Sequence, residues 1–455
     1  MNAHPERLVL TEEPPAPNRL RAATGEGWTS GSVFRLLRKS GLDLTLLGLL
    51  IYITVIITLR LPGGNIAVIV GAVGLIFSRH KLVVPAYLWW LLAFVIWDAI
   101  GVPFSALPSA SEDHATGLAK IWVISLLAVN ALRTPSRLTV YATVFLLAFL
   151  THPLRSVFLN FARGVGVNGR YAANGEFANP NQFAVVLLTA LALSICLFIW
   201  HRRGSPQWLG GVCTALCPAA ILLTASRGVF IGMAVFTLIV VAGSRQKGKA
   251  VVALAFVLLV GAMVAPPQVW QRLGGLTKAT STRNLKEVDA EGSAAERFEI
   301  WQTAFRIIGD HPVAGTGGGT YSFMNGQYSS FLGRRDTHST YLNILAEAGF
   351  IGFGFYFAPV FSLMVLYRKT SRLPRLSTTT RATLRILMAG LVGFLIAAIW
   401  GTYTSFSFFF LYLAVMSAAA AVAARESTAS SAPPAPPSPT RDDNLHAQVV
   451  QRLRA

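Results

Sequence analysis

The chain has 455 residues, of which 53% are hydrophobic and only 13% are charged. A soluble protein of this length carries about a quarter charged residues, so the composition excludes that class and predicts a protein embedded in a lipid bilayer. The formal net charge is +19, and the basic residues fall mostly in short gaps between apolar runs. That distribution is typical of a multispanning membrane protein and argues against a nucleic-acid-binding face.

Apolar runs predict an all-α polytopic fold with about twelve transmembrane helices, since a helix needs about 20 residues to cross the hydrocarbon layer. The predicted spans are 42–60, 63–78, 83–101, 116–132, 138–152, 180–200, 207–224, 228–243, 250–265, 338–367, 383–400 and 404–424. The second, fifth and eighth are short. Polar and proline-containing segments predict disordered tails at 1–41 and 425–455, and the polar start predicts no cleavable signal.

Basic residues predict the orientation of these spans. The gaps rich in Arg and Lys all fall on one side of the membrane, which indicates the cytoplasm and places both termini there. The opposite, periplasmic side then carries two long segments, 153–179 and 266–337. We therefore expect spans 1–9 over 42–265, a large periplasmic loop over 266–337 and spans 10–12 over 338–424, in the bacterial inner membrane with chemistry on the periplasmic face.

Arginine is disfavoured on that outer face, so Arg227 needs an explanation. It lies in the tight connection Thr224–Gly228 between two apolar runs. One interpretation is an arginine that anchors a helix end by reaching to the interface. The other is a planar guanidinium that binds a phosphate at membrane depth. The sequence leaves both open and favours the second.

Two further outer arginines have competing interpretations. Arg170 lies in an amide-rich loop before Pro180, and that loop either starts a helix or cradles sugar hydroxyls or phosphate. Arg297 opens a helix that apolar spacing predicts over 296–308, where it either binds an anion or forms a surface ion pair with Glu299 or a nearby acid. The glycine run 315–319 after this helix favours a flexible hinge over a phosphate loop, because it lacks the lysine.

His338 stands where the polar loop meets the tenth span, and imidazole exchanges protons near neutral pH. Asn343 and Glu347 are one helical turn apart and share a face, and an ionisable residue inside an apolar run indicates a functional site. Glu347 is expected to hold an arginine from a neighbouring helix instead of orienting His338, and Asp98 is a second candidate partner of that kind.

Metal and disulfide sites are not expected. Cys196, Cys213 and Cys217 lie inside apolar runs, where a thiol behaves as a small hydrophobic group. The outer loops contain no His or carboxylate cluster with metal-ligand spacing.

The stretch His338-Ser339, nine residues, Gly349, two residues and Gly352 resembles the signature of the O-antigen ligases, in the wider group of O-antigen ligases and polymerases. The likeness extends to Ser226-Arg227-Gly228, to the segment from Arg297 to Trp301, and to the twelve-span plan, so it covers about 170–424.

The resemblance implies transfer of a polysaccharide from undecaprenyl diphosphate to lipid A-core oligosaccharide at the periplasmic face. It implies no nucleotide sugar, no metal and no cofactor. Fitted to this chain, Arg227, Arg297 and Arg170 would hold the diphosphate and His338 would be the general base. Asp98, Asn343 and Glu347 are possible supporting residues.

Three other activities remain open at this point. An O-antigen polymerase or a protein O-oligosaccharyltransferase would share the architecture and most of the chemistry. A membrane transporter is the alternative from another class, motivated by intramembrane Asp98 and Glu347. Against a transporter, the two halves of the chain show no evident duplication and one outer loop is large.

Overall fold

The computed structural model describes residues 38–58, 63–167, 169–244, 248, 293–329 and 333–429. Within these ranges every regular element is helical. Eight helices are long and apolar enough to cross a membrane, and three shorter apolar helices accompany them. The predicted all-α membrane fold is therefore confirmed, whereas the count of twelve stays a prediction, because the ninth run, 250–265, lies outside the described residues.

The helices follow the predicted runs in chain order. The first half contains α1 Leu44–Thr58, α2 Gly63–Ile76, α3 Ala86–Gly101, α4 Pro108–Ala131, α5 Pro135–Phe149, α6 Arg155–Ala162, α7 Pro180–Trp200, α8 Ser205–Thr224 and α9 Arg227–Ala242. The second half contains α10 Ser293–Asp310, α11 Tyr321–Tyr328, α12 Thr340–Ser371, α13 Thr378–Ala397 and α14 Ser407–Ala429.

Several boundaries differ from the predictions, among them three at segments that carry charged residues. Helix α4 begins at Pro108, so part of the expected outer gap 102–115 is helical, with Glu112 and Asp113 exposed on it. A π-turn at Leu150–Leu154 joins α5 to α6, so the expected loop 153–179 starts as helix. Helix α14 continues to Ala429, beyond the predicted end at 424. Charged residues marked these segments as non-spanning, although a helix that projects past the hydrocarbon can carry them.

Helices α7 and α14 form the centre of the fold. In each of these helices, 83% of the most apolar 18-residue stretch is buried inside the protein. The corresponding fraction is 33% for the span that begins with α3. Helix α7 packs against α5, α8, α9 and α13, while α14 packs against α4, α5, α12 and α13. The remaining helices keep apolar faces outward, as expected for contact with lipid.

Small residues bring α9 and α13 close together. A side chain at Gly232 would meet the carbonyl of Gly393, and one at Gly393 would meet the carbonyl of Gly232. Close approach through small residues is a common way for membrane helices to pack. The contact fixes the start of α9, and therefore Arg227, beside the end of α13.

Helix α12 is interrupted at Gly349, whose φ of 65° and ψ of −173° are not helical. The segment 312–317 fills the break. The N–H groups of Thr316 and Gly317 donate to the carbonyls of Ala346 and Glu347, at 3.0 and 2.9 Å, and the N–H of Phe350 donates to the Pro312 carbonyl at 2.8 Å. Backbone groups freed by the break are thus satisfied inside the protein, which membrane burial requires.

Candidate functional site

His338 lies two residues before the start of α12, in a half-buried position. Its φ of 50° is in the left-handed region that non-glycine residues rarely adopt. The neighbouring Thr337 holds this conformation: its carbonyl accepts a hydrogen bond from Trp301 Nε1 at 3.0 Å, and its hydroxyl donates to Asn343 Oδ1 at 3.0 Å. The imidazole therefore sits on a backbone fixed from two sides.

The surroundings of His338 lower its pKa. Burial is the largest cause, because it disfavours the charged ring, and the positive charge of Arg297 is the second. Asp336 and Glu296 act in the opposite direction, and Arg335 adds to the lowering. The imidazole is consequently neutral near neutral pH and able to accept a proton.

Three arginines from separate parts of the chain meet at one pocket of about 60 Å³, called here the arginine pocket. Arg170 comes from the loop after α6, Arg227 opens α9, and Arg297 belongs to α10. The other lining residues are Asn181, Ala225, Ser226, Gly228, Ala397, Trp400 and Tyr403. No carboxylate lies among the lining residues within the described ranges, so the pocket is suited to an anion.

Arg170 is fixed by hydrogen bonds at the start of α7. Its Nε donates to the Thr224 carbonyl at 3.0 Å and its Nη2 donates to Asn181 Oδ1 at 2.6 Å. The same Oδ1 atom accepts from the Ser226 hydroxyl at 3.0 Å. The loop therefore has both predicted roles. Asn179 caps the start of α7 by accepting from the N–H groups of Asn181 and Gln182, and the same loop holds an arginine in the pocket.

Tyr403, a residue outside the predicted site, connects the pocket to the start of α12, two residues after His338. Its hydroxyl donates to the Asn181 carbonyl at 3.2 Å, and its N–H donates to the hydroxyl of Thr340, the first residue of α12, at 3.0 Å. Burial raises the pKa of this phenol, whereas the charges of Arg297 and Arg170 lower it. Arg297 thus acts on both Tyr403 and His338, which links the arginine pocket to the candidate base.

Arg297 lies on an amphipathic helix, as the spacing of apolar residues over 296–308 predicted. The face of this helix that is buried differs from the face that this spacing marks as apolar. Ile300, Ala304 and Ile307 have no exposed surface, while Phe305 is 61% exposed. Glu296 pairs with Arg335 at 3.0 Å.

Asn343 and Glu347 contact each other, since Asn343 Nδ2 donates to Glu347 Oε2 at 2.8 Å. Glu347 Oε1 accepts from the backbone N–H of Tyr321 at 2.9 Å. The expectation that Glu347 holds an arginine is wrong within the described residues, because an N–H at the start of α11 and the Asn343 amide take its oxygens. Through Asn343 and Thr337 the carboxylate instead supports the turn that carries His338.

Asp98 also has a different partner from the expected arginine. His114 Nδ1 lies 3.0 Å from Asp98 Oδ2, and both side chains are at least nine-tenths buried. Gly318 packs against both groups and leaves no room for a side chain. Asp98, His114 and Glu347 form what we call the carboxyl cluster, since His114 is close enough to Glu347 for their charges to interact.

The glycine run 315–319 is packed against other parts of the protein. It therefore lacks the open space that a flexible hinge needs. A side chain at Gly315 would strike the backbone of Glu347, and one at Gly317 would strike Ser105 and Ser111. The run therefore ties α12, α3 and α4 together above the carboxyl cluster.

The described part of the chain contains no group of three or more His, Cys, Asp or Glu residues arranged to bind a metal ion. The three cysteines are buried, as their positions inside apolar runs predicted.

Comparison with known families adds one finding. Residues 211–357 match the family model described as O-antigen ligase. The match confirms over this segment the resemblance expected from the sequence, and the segment contains Arg227, Arg297 and His338. A search of curated proteins finds no match.

Proposed function

We propose that this chain, whose residues 211–357 carry an O-antigen ligase domain, transfers O-antigen polysaccharide from undecaprenyl diphosphate to lipid A-core oligosaccharide. The observation that carries the proposal is the convergence of Arg170, Arg227 and Arg297 on one pocket. The positive charge of Arg297 also lowers the pKa of His338. The ligase and polymerase family sets the reaction class, and the arrangement of these side chains supports the individual steps.

In the first step, the donor places its diphosphate in the arginine pocket. Guanidinium groups offer planar, paired donors to phosphate oxygens and stay charged at any physiological pH. Arg170 is already oriented by Asn181 and Thr224, so little ordering is needed on binding. The three cations supply the positive charge that a divalent metal supplies in other glycosyltransferases, and the reaction proposed is metal-independent.

In the second step, an acceptor sugar hydroxyl attacks the anomeric carbon of the donor. His338 takes the hydroxyl proton as the new carbon–oxygen bond forms. The bond from the anomeric carbon to the phosphate oxygen breaks, and its electron pair leaves with undecaprenyl diphosphate, where the arginines stabilise the developing charge. Direct displacement inverts the configuration at the anomeric carbon.

We place this site on the periplasmic face of the inner membrane, with both termini in the cytoplasm. The basic gaps of the sequence support that orientation, and a lipid-linked donor and a lipid acceptor can both reach a site at the membrane surface by lateral diffusion.

The test is reconstitution of the full chain in lipid vesicles with the lipid-linked polysaccharide as donor. We expect core lipid to become glycosylated and undecaprenyl diphosphate to be released in equal amount. Extension of the donor by a second donor molecule, with core lipid unused, would identify a polymerase. Glycosylation of an added pilin-like protein would identify a protein O-oligosaccharyltransferase, and passage of the substrate across the vesicle membrane without transfer would identify a transporter.

A further inference from the structure

A second, larger cavity of about 690 Å³ lies between the end of α1, the π-turn and α6, and the loop before α7; we call it the lateral cavity. It shares no lining residue with the arginine pocket in the described part of the chain. Cavities of this size hold a drug-sized molecule or a lipid headgroup. The lateral cavity is therefore a second place where a substrate can bind.

Basic, apolar and acidic side chains line the lateral cavity. Arg155, Arg163 and His152 line it together with Ile56, and Glu176 is the one carboxylate of its described lining. Neither Arg155 nor Arg163 has an ion pair or a hydrogen bond through its side chain with a described residue, and both are exposed. The combination fits an anionic amphiphile, whose phosphate would bind the guanidinium groups and whose apolar part would lie along the first helix.

The depth of the cavity agrees with a lipid headgroup. The span Pro135–Ala162 has 28 residues, which at 1.5 Å per residue is about 42 Å and exceeds the hydrocarbon thickness of about 30 Å. Its far end, which carries Arg155 and is followed by Arg163, is therefore long enough to reach the headgroup region. The π-turn at Leu150–Leu154 interrupts the helix at the cavity, and such turns occur frequently at functional sites.

One short loop connects the lateral cavity to the arginine pocket. Arg170 reaches the pocket at one end of this loop, and Asn174 to Phe177 line the cavity at the other. Asn160 on α6 fixes the loop by donating to the Ala172 carbonyl at 2.8 Å. A molecule in the lateral cavity therefore contacts the same loop that carries Arg170, one of the groups proposed to bind the donor.

We propose that the lateral cavity binds the acceptor lipid through a phosphomonoester on its sugar headgroup, with Arg155 and Arg163 as the phosphate ligands. This inference rests on the proposed function, since it assigns the second substrate of that reaction to a place in the fold. The donor diphosphate would occupy the arginine pocket while the acceptor headgroup occupies the lateral cavity.

The experiment compares the full-length wild type with the double variant R155Q/R163Q in lipid nanodiscs. Because a charge-assisted hydrogen bond to phosphate is worth about 1.5–3 kcal/mol, we expect the KM for the acceptor to rise about 10- to 100-fold. The KM for the donor and kcat at saturating acceptor should stay within about twofold of wild type. The matched control is R203Q, which removes an exposed arginine just beyond the C-terminal end of α7. It should leave both KM values and kcat unchanged.

A binding measurement separates this inference from the proposed function. The wild type should bind a lipid with a phosphorylated sugar headgroup at least about tenfold tighter than the same lipid after phosphatase treatment, and R155Q/R163Q should bind both forms equally. Competition by inorganic phosphate alone, at the affinity of the lipid, would overturn the lipid assignment, as would a rise in the donor KM. If no acceptor is glycosylated by the wild type, the proposed function fails; phosphate-dependent lipid binding then still supports a headgroup site, and its absence overturns it.

Discussion

The arginine pocket and the carboxyl cluster lie in the same protein but use charge in opposite ways. The pocket gathers Arg170, Arg227 and Arg297 around open space with no carboxylate in its described lining. In the carboxyl cluster, by contrast, the carboxyl groups have partners within the fold, since Asp98 pairs with His114 and Glu347 accepts two hydrogen bonds. The difference indicates that the pocket is built to receive an anion, whereas the cluster is built to hold backbone segments in place.

This contrast predicts that changes in the pocket act on chemistry and changes in the cluster act through position. The largest effect is expected for Arg227→Lys, because a point charge cannot reproduce the planar pair of donors. We expect kcat/KM for transfer to fall by on the order of 100-fold, as for loss of one donor to a developing anion. Steady-state rates in vesicles measure this.

The matched control for Arg227→Lys is Arg202→Lys, an exposed arginine on the predicted cytoplasmic side. It should transfer at the wild-type rate. Full activity of Arg227→Lys would mean that Arg227 is only a helix anchor, which is the first of the two interpretations that its sequence position allows.

A smaller effect is expected for Glu347→Gln. A carboxylate accepts from both Tyr321 N–H and Asn343, whereas an amide offers one oxygen and turns its NH2 group toward the other donor. The turn at His338 loosens, so we expect kcat to fall about tenfold with the donor Kd within about twofold. The exposed Glu299→Gln on α10 is the control. Equal losses of donor affinity and kcat would show that Glu347 contacts the substrate.

The carboxyl cluster makes a prediction about stability at His114. The Nε2 atom of His114 has no hydrogen-bond partner in the described structure. Removing the imidazole therefore breaks only the hydrogen bond between Nδ1 and Asp98. His114→Ala should cost about 1–3 kcal/mol of unfolding free energy, because it leaves a buried acceptor unpaired, and should slow transfer only a few-fold. His114→Asn, whose amide can reach Asp98, should recover most of the loss. Thermal unfolding in detergent compares the two, and equal destabilisation would argue against the hydrogen bond.

The smallest effect concerns the pH dependence of transfer. The negative charge of Asp336 raises the pKa of His338 and the positive charge of Arg335 lowers it. Asp336→Asn should therefore lower that pKa further, keep the base unprotonated in more acidic solution, and move the acid limb of kcat/KM down by a few tenths of a pH unit. Arg335→Gln should move the same limb up. Shifts of both variants in one direction would contradict the assignment of His338 as the base.

Much of the fold could be predicted from the sequence, because apolar runs of the right length mark helices directly. The arginines could also be predicted from the sequence, since Arg170, Arg227 and Arg297 fall on the side that the basic gaps predict to be periplasmic, where arginine is disfavoured. Their charge placement was the signal, and it needed no knowledge of which residues contact each other.

The partners of the buried carboxylates could not be predicted in the same way. Glu347 bonds to the N–H of Tyr321, and a backbone donor leaves no trace in the sequence. His114 was hidden because its acidic neighbours indicated a loop, although the segment belongs to the first two turns of α4, where Glu112 and Asp113 are exposed and the side chain of His114 is nine-tenths buried. Tyr403 lies in a predicted gap of three residues between two spans. Its only signal in the sequence was an aromatic residue on the predicted outer face.

The central claim is that arginines bind the donor diphosphate while His338 removes the acceptor proton, so binding and chemistry should separate in His338→Ala. The direct measurement is the donor Kd of this variant together with its single-turnover transfer rate in vesicles. We expect a donor Kd within about threefold of wild type and a transfer rate reduced by at least about 100-fold, as for loss of a general base. Near-normal transfer by His338→Ala would contradict it, and so would a loss of donor binding as large as the loss of transfer.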